Sequence, residues 1–131
     1  MTALALLATG CGSSGLSDAA FTSQANAICR SANKANAKLS ASSGVAALKS
    51  EEALVASTVT KLKALSPPAS RAAAFKSYLS DIAYVQSVLQ QLVTAISAKD
   101  SAKIATIEAG VTGFEGKGKS AAKAAGITSC D

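Results

Sequence analysis

Sulfur is where this chain's chemistry is concentrated. Three cysteines, Cys11, Cys29 and Cys130, stand in a sequence of 131 residues that holds no histidine and no tryptophan. A thiol can be alkylated, can bond a second thiol, or can ligate a soft metal. The odd count separates the three. Cys11 follows the apolar stretch Leu4 to Ala8 and the small Gly10, and it precedes Gly12-Ser13-Ser14-Gly15. Cys29 and Cys130 remain as a pair. In an oxidising compartment such a pair reads as a disulfide, two free buried thiols being the other reading. A bridge enclosing about 100 residues stabilises by roughly 4.7 kcal/mol in the chain-entropy model. Without a histidine, two cysteines exclude a zinc site of the usual Cys/His pattern.

Other groups offer less. A serine nucleophile without histidine needs a lysine base, and serine and lysine recur here at no distinctive spacing. The adjacent carboxylates Glu51-Glu52 suit the negative charge wanted near a helix start better than an acid/base dyad. Gly116-Lys117-Gly118-Lys119-Ser120 has glycines beside a lysine but lacks the preceding strand and the spacing of a phosphate loop. No catalytic residue, metal site or cofactor is therefore expected, and the chain reads as a non-enzyme. Arg30, Lys34 and Lys38 recur every four residues, which puts all three on one helical face. With Lys117, Lys119 and Lys123 they form candidate contacts to anionic lipid or wall polymer, a solvated face being the plainer account. Tyr78 and Tyr84 could line a small-ligand cleft between helices, although tyrosine at a bundle edge is commoner.

The order of Leu6-Leu7-Ala8-Thr9-Gly10-Cys11 is that of an export signal, an apolar run too short to span a bilayer and closed by a small residue. A cysteine directly after the small residue makes it resemble a bacterial lipobox. That resemblance implies a diacylglycerol thioether on Cys11, cleavage before it, and palmitate-type anchoring of the new N-terminus. The usual pattern has a larger apolar residue at the place of Ala8 and a Lys or Arg ahead of the apolar run, where this chain has Met1-Thr2-Ala3. A plain secretory signal with a chance cysteine is the alternative. Two acyl chains give durable binding where one is marginal, at about 0.8 kcal/mol per buried methylene.

Composition sets the elements that must position these groups. Hydrophobic residues make up 49% of the chain and aromatic residues only 4%, so alanine supplies much of the apolar count. Alanine favours helix and close helix approach while burying little area. The expectation is an all-helical domain with a thin core, which gains from a covalent staple. The formal net charge is +5, which suits an anionic surface, and export makes nucleic acid the least suitable partner.

Apolar periodicity predicts a first helix over 18–39, carrying Phe21, Ala25, Ile28, Ala32, Ala35 and Leu39, with Ser17 or Asp18 as cap. A second is predicted over 45–65, ended by Ser66-Pro67-Pro68. The third and longest spans 68–98, with Phe75, Tyr78, Leu79, Ile82, Val85, Leu89, Leu92, Val93 and Ile96 on its apolar side. Asp100 or Ser101 then caps a fourth helix bearing Ile104, Ile107, Val111, Phe114, Gly118, Ala121 and Ala125. Its glycines weaken it, with a kink expected near Gly116–Gly118. Gly126 provides a left-handed end, and Ile127 folds back on the last turn.

Short connections favour antiparallel neighbours, so the expected fold is an all-α, antiparallel up-down-up-down four-helix bundle closed by one disulfide. Cys29 lies roughly 16 Å into the first helix, within reach of an extended tail from Gly126 to Cys130 that turns back along it.

Three motifs accompany the anchor: Ala27-Ile28-Cys29-Arg30 with Ala32-Asn33, the Leu65-Ser66-Pro67-Pro68-Ala69 break, and the closing Gly126-Ile127-Thr128-Ser129-Cys130. Together they resemble small alanine-rich lipoproteins of high-GC Gram-positive bacteria. The resemblance implies a cell-envelope location, a helical domain and a disulfide between an early and a final cysteine. It brings no activity.

The expected organisation is a signal segment over 1–10, a flexible tether over 11–17 and a helical domain over 18–131. The expected role is a lipid-anchored interaction or scaffolding module on the extracytoplasmic face of the cell membrane. Its partners would be the membrane through Cys11 and an envelope protein or anionic wall polymer. A carrier or sensor holding a small molecule near Tyr78 and Tyr84 is the alternative.

Overall fold

Alanine-rich sequence with few breakers gives long helices, and the computed structural model is helical throughout its elements. It describes residues 15–39, 43–111 and 115–130. Over these it forms α1 (Asp18–Leu39), α2 (Gly44–Lys63), α3 (Ala69–Ser97), α4 (Ser101–Val111) and α5 (Glu115–Ala124), with no strand among the described residues. Cys11, the expected signal segment over 1–10 and the first part of the expected tether lie outside the described residues, as does Phe114.

Local chemistry sets the ends. The Ser17 hydroxyl accepts the Ala20 N–H at 3.2 Å and caps α1. Pro68 stands at the N-cap of α3 in extended geometry (φ −65°, ψ 155°), a residue whose ring fixes φ where a helix begins. Asp100 caps α4, its Oδ1 accepting the Lys103 N–H at 2.9 Å. Gly126 ends the chain's last turn at φ +80°. The Ile127 N–H reaches the Ala122 carbonyl at 2.9 Å and the Gly126 N–H that of Lys123 at 3.0 Å, the paired bonds of a Schellman ending. Lys99 adopts φ +56° at the end of α3, and the Asp100 N–H bonds the Ala95 carbonyl at 2.9 Å. Here a lysine occupies the position that glycine normally takes.

The central helix is α3, which packs against α2, α4 and α5, while α2 also packs against α1. The core gathers where α1 and α3 begin and where α2 and α5 end: Phe21, Ala25, Cys29, Leu62, Phe75, Tyr78, Ala122, Ala125 and Ile127 are all buried. Phe21 and Phe75 meet edge to face, their ring centroids 4.9 Å apart, a preferred aromatic geometry. The Cys29–Cys130 disulfide joins α1 to the last residues, with Cα atoms 4.8 Å apart and a sequence separation of 101.

The predicted fourth helix is described over α4, to Val111, and α5, from Glu115, and residues 112–114 lie outside the described residues. Two sequence expectations differ from the structure. Val85, placed on the apolar side of α3, is 39% exposed, although Leu89 one turn further along that side is 7% exposed. Glu51 and Glu52 sit well inside α2, whose first turn holds no acidic residue. The helix dipole acts within the first turn, so their charge has another use: Glu52 Oε1 accepts the Gln90 side-chain amide of α3 at 3.0 Å.

Candidate functional site

The disulfide is one part of a clasp that lays the C-terminal segment along α1. Asn26 lies one turn before Cys29 and is 7% exposed, the one buried polar side chain among the described residues. Its Nδ2 donates to the carbonyls of Thr22 at 2.9 Å and Gly126 at 3.3 Å. Its Oδ1 accepts the N–H groups of Thr128 and Ser129, each at 2.8 Å. One turn beyond Cys29, the Asn33 amide donates to the Ser129 carbonyl at 2.8 Å. Asn26, Cys29 and Asn33 thus form one stripe of α1, and each of the three bonds to residues 126–130. Burial of an amide costs little when its hydrogen bonds are made.

A second tie closes the same end of the molecule. Arg71 donates from Nε to Asp18 Oδ1 at 2.9 Å and from Nη2 to Oδ2 at 3.0 Å, a two-point grip suited to the planar guanidinium. Its Nη1 donates to the Ala124 carbonyl at 3.1 Å, so one side chain of α3 holds the start of α1 and the end of α5. The Arg71 hydrogen bond, its positive charge and the Ser70 hydroxyl hold the Asp18 carboxyl below the ordinary aspartate range, against a smaller opposing effect of burial. Arg71 is raised in turn, chiefly by the hydrogen bond to Asp18.

The chain also enters the bundle in close contact. The Leu16 N–H bonds the Ser66 carbonyl at 2.9 Å. A Cβ on Gly15 would stand 2.6 Å from the Pro67 carbonyl oxygen, so only glycine fits there. The last residues of the 11–17 stretch therefore lie against the α2–α3 connection.

The basic residues are divided. Arg30, Lys34 and Lys38 are all exposed on α1. Arg30 and Lys34 line a groove of ≈ 610 Å³ together with Ser31, Asn33 and Ser129, whereas Lys38 is outside its lining. Lys117, Lys119 and Lys123 are exposed on α5. Residues 116–120, glycines included, are part of that helix, so they form no phosphate-binding loop. Neither tyrosine lines a described cavity. Tyr78 is 6% exposed within the core, and Tyr84 is 41% exposed on the surface of α3. They fall on different sides of the helix and share no cleft.

Comparisons with protein-family models, with characterised proteins and with solved structures find no match. The chain's own geometry is thus what bears on its role. No helix among the described residues is long and apolar enough to cross a membrane. Among them no cluster of acidic or sulfur ligands could hold a metal ion.

Sequence reasoning found the Cys29–Cys130 pair but missed Asn26 and Arg71. The signal for Asn26 is its spacing: steps of three and four from Asn26 through Cys29 to Asn33 put two amides and a thiol on one face. Arg71 carries no local signal, because its partners come from both ends of the sequence.

Proposed function

We propose that the protein is a lipid-anchored, non-catalytic interaction module on the extracytoplasmic face of the cell membrane. One observation carries this reading: Cys29 and Cys130 are consumed in a disulfide. A structural disulfide belongs to an oxidising compartment. It leaves Cys11, directly after Gly10, as the remaining thiol for lipid attachment. Close packing of Gly15 and Leu16 on the α2–α3 connection supports the anchoring role. It leaves only residues 11–14 between lipid and domain, at most about 14 Å of chain.

The same reading treats α4 and α5 as two halves of the fourth member of an up-down-up-down bundle. The grouping of the starts of α1 and α3 with the ends of α2 and α5 in one core supports that topology. Partners are the membrane through Cys11, and an envelope protein or anionic wall polymer through the exposed basic face.

Detergent phase partition of protein expressed in a bacterial host tests the anchor. The wild-type chain should enter the detergent phase and the Cys11→Ala chain the aqueous phase. Aqueous partition of both would remove lipid anchoring.

A further inference from the structure

We infer that the groove between α1 and the C-terminal segment binds a linear phosphodiester-type polyanion, with Arg30 and Lys34 as its cationic contacts. This rests on the extracytoplasmic reading and names the partner of that surface. The groove is lined by Arg30, Ser31, Asn33, Lys34 and Ser129, with a volume of ≈ 610 Å³. Its lining holds two cations, two hydroxyls and an amide, and no carboxylate. Neither cation has a carboxylate partner among the described residues, where Arg71–Asp18 is the ion pair formed. Both are exposed on α1.

The arrangement favours a polymer over a single anion. Arg30 and Lys34 are one turn apart, about 6 Å along the helix, so they can meet successive charges of one chain. The planar guanidinium grips phosphate oxygens at two points, while the ammonium acts as a compact point charge. The Ser31 and Ser129 hydroxyls supply neutral donors beside them. One wall is the C-terminal segment, already fixed by the disulfide and by the Asn26 and Asn33 amides, so little ordering cost remains on binding. Along α1 the groove begins roughly 18 Å beyond Asp18, at a distance from the end of the domain where the chain from Cys11 enters.

The test uses the full, oxidised chain with long-chain inorganic polyphosphate as probe, and phosphatidylglycerol vesicles in parallel. Polyphosphate should bind, and the Arg30→Gln/Lys34→Gln protein should bind about tenfold more weakly. Its log–log salt dependence should flatten by about one to two units, since each neutralised phosphate contributes roughly 0.7–0.9. A Lys117→Gln/Lys119→Gln protein of equal helicity should retain the wild-type affinity. Absence of polyphosphate binding, an equal loss in both double variants, or binding to vesicles without binding to polyphosphate would overturn the proposal. The detergent-phase behaviour of the Cys11 forms reads the anchor separately. A chain that stays in the detergent phase but ignores polyphosphate removes the groove and leaves the anchor standing.

Discussion

Asn26 and Gly126, a hundred residues apart in sequence, meet through the Asn26 amide and the Gly126 carbonyl at 3.3 Å. The other atom of the same amide takes the backbone N–H groups of Thr128 and Ser129. A single side chain therefore supplies the hydrogen bonds that an extended segment would otherwise seek in a sheet or in water. Asn26→Ala leaves two backbone donors without their acceptor and should lower the unfolding free energy by roughly 2–4 kcal/mol. Asn26→Asp keeps the acceptor, loses the donor, and should fall between the two. Urea denaturation of the oxidised proteins measures both.

Reduction of the Cys29–Cys130 bond should act on the unfolded chain more than on the folded one. The bridge separates residues 101 apart in sequence, which gives a loss of up to about 4.7 kcal/mol in the chain-entropy model. A Cys130→Ser protein should reproduce the reduced wild type. Near-identical denaturation midpoints for oxidised and reduced protein would contradict this.

The Asp18–Arg71 pair makes stability depend on acid. The folded-state pKa of Asp18 is depressed, so its contribution is present above the ordinary aspartate value and is lost as pH falls through the depressed one. Between pH 5 and pH 3 the wild type should therefore lose more stability than Asp18→Asn, the difference shrinking in high salt. Denaturant midpoints across that range are the measurement. Parallel curves for the two proteins would mean that the pair contributes nothing in solution.

Two helix ends in left-handed geometry should respond in opposite senses. Lys99 stands at φ +56°, where an L-residue costs roughly 1–2 kcal/mol. Lys99→Gly should stabilise by about 0.5–1 kcal/mol after the added freedom of the unfolded chain is deducted. Gly126 stands at φ +80°, and a Cβ there would lie 3.3 Å from Arg71 Nη1 and 3.4 Å from Thr22 Oγ1. Gly126→Ala should destabilise by roughly 1–2 kcal/mol and loosen the Arg71 contact with α5. Thermal unfolding of both variants checks the signs.

What could be read from sequence was local. The limits of α1, the Asp100 cap and the left-handed Gly126 with Ile127 behind it depend on a few adjacent residues, and all stand as expected. The pairing of Cys29 with Cys130 was also legible, because the third cysteine sits in a different kind of sequence. What escaped depends on the tertiary surroundings. An asparagine beside an apolar seam looks solvent-facing until the C-terminal segment covers it. Val85 continues the apolar rhythm of α3, yet it is 39% exposed while Leu89 on the same side is buried. An alanine-rich chain carries too few large side chains to fill a core along its whole length, and the buried cluster gathers at one end, around Phe21, Leu62, Phe75 and Ile127.

Intact mass spectrometry of the protein extracted from bacterial membranes tests the central claim most directly. The account predicts a chain that starts at Cys11, carries a diacylglyceryl group there, and is two hydrogens lighter than its fully reduced form. A full-length or unacylated chain with three free thiols would contradict it.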